Sequence, residues 1–205
     1  MSNYPESAAR FARETAAHEM TVLHDDGLYR HLRFEAPDGS GYRFDLHTSP
    51  NRLMFHGEPG TYVFSVWPAA DLFTVFRESS IGDQPNFGYW NEKLAAWSEP
   101  AIQFSCDLFD KKVAGELAKA EEFFPGVTAA WESFVSAEYN TEYEQIAREA
   151  LAAFKYLPEG QWGEAWRFRY TSEWKLDDYD WRYLWTCHAA LYGIAKYDTA
   201  KAVAS

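Results

Sequence analysis

Among the side chains with acid–base or anion-binding chemistry between residues 31 and 56, six stand out: His31, Arg33, Arg43, Asp45, His47 and His56. In extended chain, successive side chains point to opposite faces. His31 and Arg33 therefore share a face of the run LYRHLRF, and Arg43, Asp45 and His47 share a face of YRFDLHT. Pairing of the two runs about the intervening APDGSG turn collects all five on one sheet face, with cross-strand neighbours about 4.5–5.5 Å apart at Cβ. A His–Asp–His group so placed can hold a metal or pass protons as general acid and base. Two guanidinium groups can clamp a phosphate or carboxylate. His31, Asp45 and His47 are the candidate catalytic residues; Arg33, Arg43 and His56 are the candidate ligand-binding residues. The competing reading is a solvated face whose alternating charges stabilise strand pairing and nothing more. His56 also opens the run HGEPGT, which reads as a tight hairpin or as a loop whose amides cradle an anion. The run lacks the GxxxxGK[ST] and GxGxxG patterns of nucleotide loops. The chain also contains no GxSxG elbow, HExxH pair, EF-hand loop or kinase signature.

The elements that must position these residues are short alternating runs separated by turns. Strands are expected at 20–25, 28–34, 42–48, 53–58 and 61–67, with Asp26-Gly27, Pro37 to Gly41, Ser49 to Asn51 and Glu58 to Gly60 between them. Leu32 and Phe34, then Phe44 and Leu46, then Tyr62 and Phe64 form the apolar face, which Arg30 interrupts. Helices are expected at 5–18, 68–79 and 88–97, and a further strand at 101–106. From residue 107 the period changes to that of helices at 107–124, 127–140 and 141–157. Residues 161–174 read as a helix giving way to a loop. The last helix, 178–197, carries Trp181, Leu184, Trp185, His188, Leu191 and Tyr192 at helical spacing. His188 reads there as a satisfied core histidine, and the C-terminal tryptophans, Trp162 among them, as core. The expected class is α+β: an antiparallel meander of four to five strands packed on helices, followed by a mostly α-helical C-terminal half. The expected division is a sheet domain, 1–106, and a helical region, 107–205, packed on it or continuous with it.

Composition narrows the partners. The formal charge is −12 over 205 residues. That disfavours a general nucleic-acid binder, which needs a basic face to displace counterions, and disfavours an anionic membrane surface. The two cysteines, Cys106 and Cys187, are far apart and neither has a CxxC partner, so no zinc motif, cofactor or resident metal is expected. The N-terminal segment is polar, without an apolar signal core, and no stretch approaches the roughly 20 apolar residues of a membrane span. A cytoplasmic protein is expected. Within 107–157, Glu116, Glu121, Glu122 and Glu132 belong to an acidic set that outnumbers the cations around it. Such carboxylates are either a solvated helix face or a surface that imitates a phosphate backbone and occupies a partner's basic groove.

The order HLRF (31–34), Pro37, YRFDLHTSPNRLMFHGEPGTYVFSVW (42–67), DLFTVFR (71–77) and NFGYWNEKL (86–94) resembles a family of small, mostly uncharacterised proteins encoded by tailed bacteriophages and other mobile elements. Members tend to read H-L-x-F, W-F-D-L-x-T-W-P, G-x-M-G-T-Y-V-F, D-M-F-x-F-F-R and Y-W-x-E-K-L. The match spans about residues 28–97. Arg43 replaces the usual aromatic, Ser49 stands where Trp is common, and Glu58-Pro59 replaces an acidic-Met pair. The resemblance transfers no catalytic residue; it implies an origin. The expected protein is a phage accessory factor in the bacterial host cytoplasm that binds and antagonises a defence component, in the manner of an anti-CRISPR, by binding rather than catalysis. The expected partner is a host protein or defence complex with a basic surface, without direct nucleic-acid or membrane contact; a homodimer through aromatic surface of the C-terminal helices is also open. The alternatives are an enzyme or sequestering protein for a small phosphorylated ligand, using the polar face of the sheet, and a phage assembly or structural protein.

Overall fold

The computed structural model describes residues 4–68 and 70–204. Residues 1–3, 69 and 205, on which parts of the expected N-terminal segment, second helix and C-terminal region fall, lie outside the described residues. The fold is α+β. Its sheet has six antiparallel strands in sequential order: β1 (Glu19–Asp26), β2 (Tyr29–Glu35), β3 (Phe44–Ser49), β4 (Arg52–Gly57), β5 (Gly60–Ser65) and β6 (Leu94–Trp97). The sixth strand corrects the expected helix at 88–97. Only Phe87–Glu92 is helical (α3 below), and the chain then pairs with β5, Phe64 facing Leu94 and Tyr62 facing Trp97. The Leu-Ala-Ala run has helical propensity, but an unpaired edge of β5 offers it backbone partners.

The apolar alternation is realised. Leu32, Phe34, Phe44, Leu46, Leu53, Phe55, Tyr62 and Phe64 are all buried on one face. Four helices join this face's unit: α1 (Pro5–Glu14), α2 (Leu72–Ser79), α3 (Phe87–Glu92) and α7 (Trp181–Ala204). Helix α2 starts at Leu72 because the Asp71 carboxylate accepts from the Phe73 amide and caps it. The α7 stretch from Tyr183 to Ala190 is buried on every side, with the sheet beneath and Phe11 of α1 against Trp185 and Tyr192. Gly193 shows how closely α7 lies on the sheet: a Cβ there would run into the Leu46 side chain and reach 3.1 Å from the Phe34 ring. Arg30 does not disrupt the core. Its guanidinium lies over the rings of Phe73 and Tyr197 and binds both Asp71 oxygens, at 2.9 and 3.2 Å.

The chain divides into two compact units, and the division is not at residue 106. One unit is the chain through Ala101 together with the chain from Tyr179 on; the other is Ile102–Asp178. The last helix belongs with the sheet because its aromatic stripe covers the sheet's apolar face. The second unit has its own core: Phe109, Val113, Leu117, Trp131 and Leu151 from α4 (Cys106–Ala120), α5 (Val127–Glu138) and α6 (Glu144–Ala153), with Phe154 just past α6 and Phe168 from the segment that follows. The short strands β7 (Ile102–Phe104) and β8 (Asp177–Tyr179) pair with each other. The expected helix in 161–174 is absent apart from a 3-10 turn at Thr171–Glu173. Instead the Tyr156 and Trp166 backbones bridge, which lays Trp166 edge-on to Phe154 and Phe168. Trp162, expected in the core, is 98% exposed.

Candidate functional site

The other face of the sheet carries the polar candidates, and strand register brings them together. His31 stands opposite His47, and Arg33 opposite Asp45. On the next strand Asp45 faces His56. The His31 and His47 rings stack, centroids 3.9 Å apart and 28° between planes. Asp45 is the hub. Its Oδ1 accepts from Arg33 Nε at 3.0 Å, and its Oδ2 lies 3.0 Å from both Arg33 Nη2 and His31 Nε2. Although it sits on the outer face, Asp45 is only 6% exposed, because these neighbours roof it.

Burial by itself raises the pKa of the Asp45 carboxyl; the hydrogen bonds from Arg33 and His31 outweigh it and hold the carboxyl below its ordinary range. His47 is held below the usual histidine value by burial, with the neighbouring His31 adding to it. At neutral pH the group therefore consists of an anchored carboxylate and at least one neutral imidazole.

Beside this group lies a cleft of about 490 Å³. Its walls are the end of β2 (Glu35), the 36–41 turn (Ala36, Gly39, Ser40, Gly41), Arg43 just before β3 with Asp45 within it, and the end of β4 with the turn that follows (His56, Gly57, Glu58). The turn is held open by local geometry: Asp38 accepts from the Ser40 amide, and Gly39 and Gly41 take positive φ of 74° and 73°. Gly41 also packs so closely on the Glu14 carbonyl that no Cβ fits. Asp45 is shared between the cleft and the His–Arg cluster. Arg43 is exposed at the cleft wall and has no hydrogen bond or ion pair among the described residues. His56 Nδ1 contacts Thr61 Oγ1 at 3.0 Å.

Of the six candidates, His31, Arg33, Asp45 and His47 form one cluster, while Arg43, Asp45 and His56 line one cleft. Three contributors were not among the candidates. Glu35 and Glu58 add carboxylates to the cleft. His24 stands opposite His31 because a bulge between Val22 and His24 shifts the register of β1. Without the bulge, alternation from Met20 puts His24 on the apolar face; the extra residue turns it outward.

The four acidic candidates of the second unit do not act alike. Glu121 is a structural cap: its carboxylate accepts from the Gly126 and Thr128 amides and the Thr128 hydroxyl, at 2.6, 3.1 and 2.7 Å. Those hydrogen bonds hold its carboxyl below the ordinary range. Glu116 pairs with Lys119 at 2.9 Å. Glu122 and Glu132 are exposed and carry no ion pair among the described residues. No helix among the described residues is long and apolar enough to cross a membrane. Comparison with models of known families, with curated proteins and with solved structures gives no match for this chain.

Proposed function

We propose that the protein captures a small phosphorylated ligand in the cleft between the 36–41 turn and the β4–β5 turn, and holds it rather than transforms it. The observation that carries this reading is Arg43, a guanidinium without an internal partner among the described residues, on the wall of a cleft that also contains His56. Arginine offers a planar fork matched to phosphate oxygens. Arg33 differs: both of its bonding nitrogens are committed to Asp45. Glu35 and Glu58 line the same cleft and accept hydrogen bonds only, so the fitting ligand carries hydroxyl or amine donors as well as its phosphate. With a chain charge of −12, long-range attraction does not favour an anion, and contact with Arg43 must supply the affinity.

This reading keeps the counter-defence expectation in one form: a phage accessory protein that acts by withholding a ligand. The version built on an acidic surface has less to draw on, because Glu121 and Glu116 are engaged within their own unit. Calorimetric titration with pyrophosphate and with adenosine 5′-monophosphate tests the proposal. Saturable binding is expected for at least one probe, weakened about tenfold or more, or about 1.4 kcal/mol, in Arg43→Ala with the fold intact by circular dichroism. Equal binding by Arg43→Ala, or none by the unaltered protein, overturns it. Phosphorus NMR of the mixture separates capture, where the probe stays unchanged, from hydrolysis.

A further inference from the structure

We infer that His31, Asp45 and His47 form a binding site for a divalent transition-metal ion of the zinc class, independent of the phosphorylated-ligand reading. One ligand atom from each lies within 4.8 Å of the others. They come from two paired strands, His31 opposite His47 and Asp45 two residues before His47 on the same face, so the backbone sets their spacing. Zinc–nitrogen and zinc–oxygen bonds of about 2.0–2.1 Å at tetrahedral angles require donor–donor edges of about 3.3 Å. The His31 Nε2 to Asp45 Oδ2 separation of 3.0 Å is already close to one such edge. The other two donor pairs lie within the same 4.8 Å limit.

The donor chemistry fits as well. Two imidazoles and one carboxylate suit zinc, cobalt or nickel and disfavour calcium and magnesium, which take oxygen ligands. Asp45 has room for the ion despite Arg33. A carboxylate offers about four lone-pair positions, and Arg33 occupies one on each oxygen. The ion takes the place of the hydrogen shared between His31 Nε2 and Asp45 Oδ2, which passes to the other ring nitrogen or to solvent. Arg33 then fixes the ligand carboxylate from outside, as hydrogen-bonding groups behind metal ligands commonly do. Three protein donors leave a fourth position for water or an incoming group, and Asp45 also borders the cleft.

The test is titration of the full, metal-stripped chain with Co²⁺, read by its visible spectrum, and with Zn²⁺ by calorimetry. One equivalent per chain is expected, with the spectrum of a four-coordinate nitrogen–oxygen site and displacement of Co²⁺ by Zn²⁺. His47→Ala and Asp45→Asn should each bind at least about tenfold more weakly, whereas Glu159→Gln, at an exposed carboxylate of the second unit, binds as the unaltered chain does. Paramagnetic shifts on the His31 and His47 ring protons should accompany Co²⁺ binding, which locates the ion even where a variant fails to fold. Absence of saturable binding by the unaltered chain, binding that survives Asp45→Asn and His47→Ala, or shifts confined to other histidines overturns the site. Because the probes are the metals alone, failure here leaves the Arg43 result standing, and the reverse.

Discussion

Acidification between pH 7.5 and 5 should destabilise the sheet unit through one buried imidazole, His188. It lies in the fully buried stretch of α7, 7% exposed. Its ring stacks on Phe11 at 5.9 Å and meets the edge of Phe87 at 5.4 Å. Its Nε2 has no hydrogen-bond partner among the described residues, so the histidine expected to be satisfied in the core is buried but not satisfied. Burial pushes its pKa down to about 4, against 6.5 for an unperturbed histidine. The folded-state value is the lower one, so the unfolded chain takes up the proton first, and stability falls as pH drops from about 6.5 toward 4. The linkage relation gives a loss of about 2 kcal/mol between pH 7.5 and 5, rising to about 3 kcal/mol well below pH 4. His47, also lowered by burial, acts in the same sense. The lowered carboxyls of Asp25 and Asp45 matter only at more acid pH. Urea unfolding of the unaltered chain and of His188→Gln at both pH values isolates the effect, because the other groups cancel in the comparison. His188→Gln should lose most of the slope whatever its absolute stability. An unchanged slope, or a His188 ring resonance titrating with a midpoint near 6.5, refutes the reasoning.

Two further substitutions probe what holds the sheet under its helices. Arg30→Met removes the cation between the Phe73 and Tyr197 rings and leaves the Asp71 carboxylate unpaired at the start of α2. With the Arg30 side chain 9% exposed and Asp71 25%, a loss of about 2 kcal/mol in urea unfolding is expected, and Arg30→Lys should recover only part of it. A change below about 0.5 kcal/mol would show the pair to be decorative. Gly193→Ala should destabilise by about 1–2 kcal/mol: overpacking against Leu46 and Phe34 costs about 1–3 kcal/mol, and better helix propensity returns up to about 1. Combined with Leu46→Ala the two losses should be less than additive; strict additivity would place the strain elsewhere.

Much of this architecture is legible in the chain, and the failures have physical causes. Alternation in LYRHLRF and YRFDLHT assigns His31, Leu32, Arg33 and Phe34 of β2 and Phe44 to His47 of β3 to their observed faces, because one face is buried and a one-residue slip would invert it. Register is a different matter. The turn between Phe34 and Phe44 is too long and irregular to dictate it, so the pairing of His31 with His47 comes from the packed sheet. Arg30 looks like an error in the apolar face until Asp71, 41 residues away, supplies the partner. The strand β6 and the 161–170 segment, expected to be helical, are cases where tertiary pairing overrides local propensity. The cleft is invisible in sequence because its walls come from four separate elements. His24 is hidden because a bulge reverses the alternation that would locate it.

The outer face also bears on whether its charges merely decorate a solvated sheet. Charges of that kind keep their water and interact weakly. Asp45 does not: it is 6% exposed, and removing a carboxylate from water costs several kcal/mol unless donors replace the solvent. Arg33 alone supplies two charge-assisted hydrogen bonds, enough to secure the strand pair. Stability of the pair does not call for His31 to bond the same oxygen while stacking on a half-buried His47 whose charged form burial disfavours. Nor does it call for a guanidinium left unpaired among the described residues at Arg43, on the wall of the adjoining cleft. These features leave imidazole nitrogens and an unpaired guanidinium next to a carboxylate that is already desolvated and fixed. A ligand or ion arriving there meets, at Asp45, Arg33 and His31, groups whose ordering folding has already completed, the condition under which a few contacts yield measurable affinity.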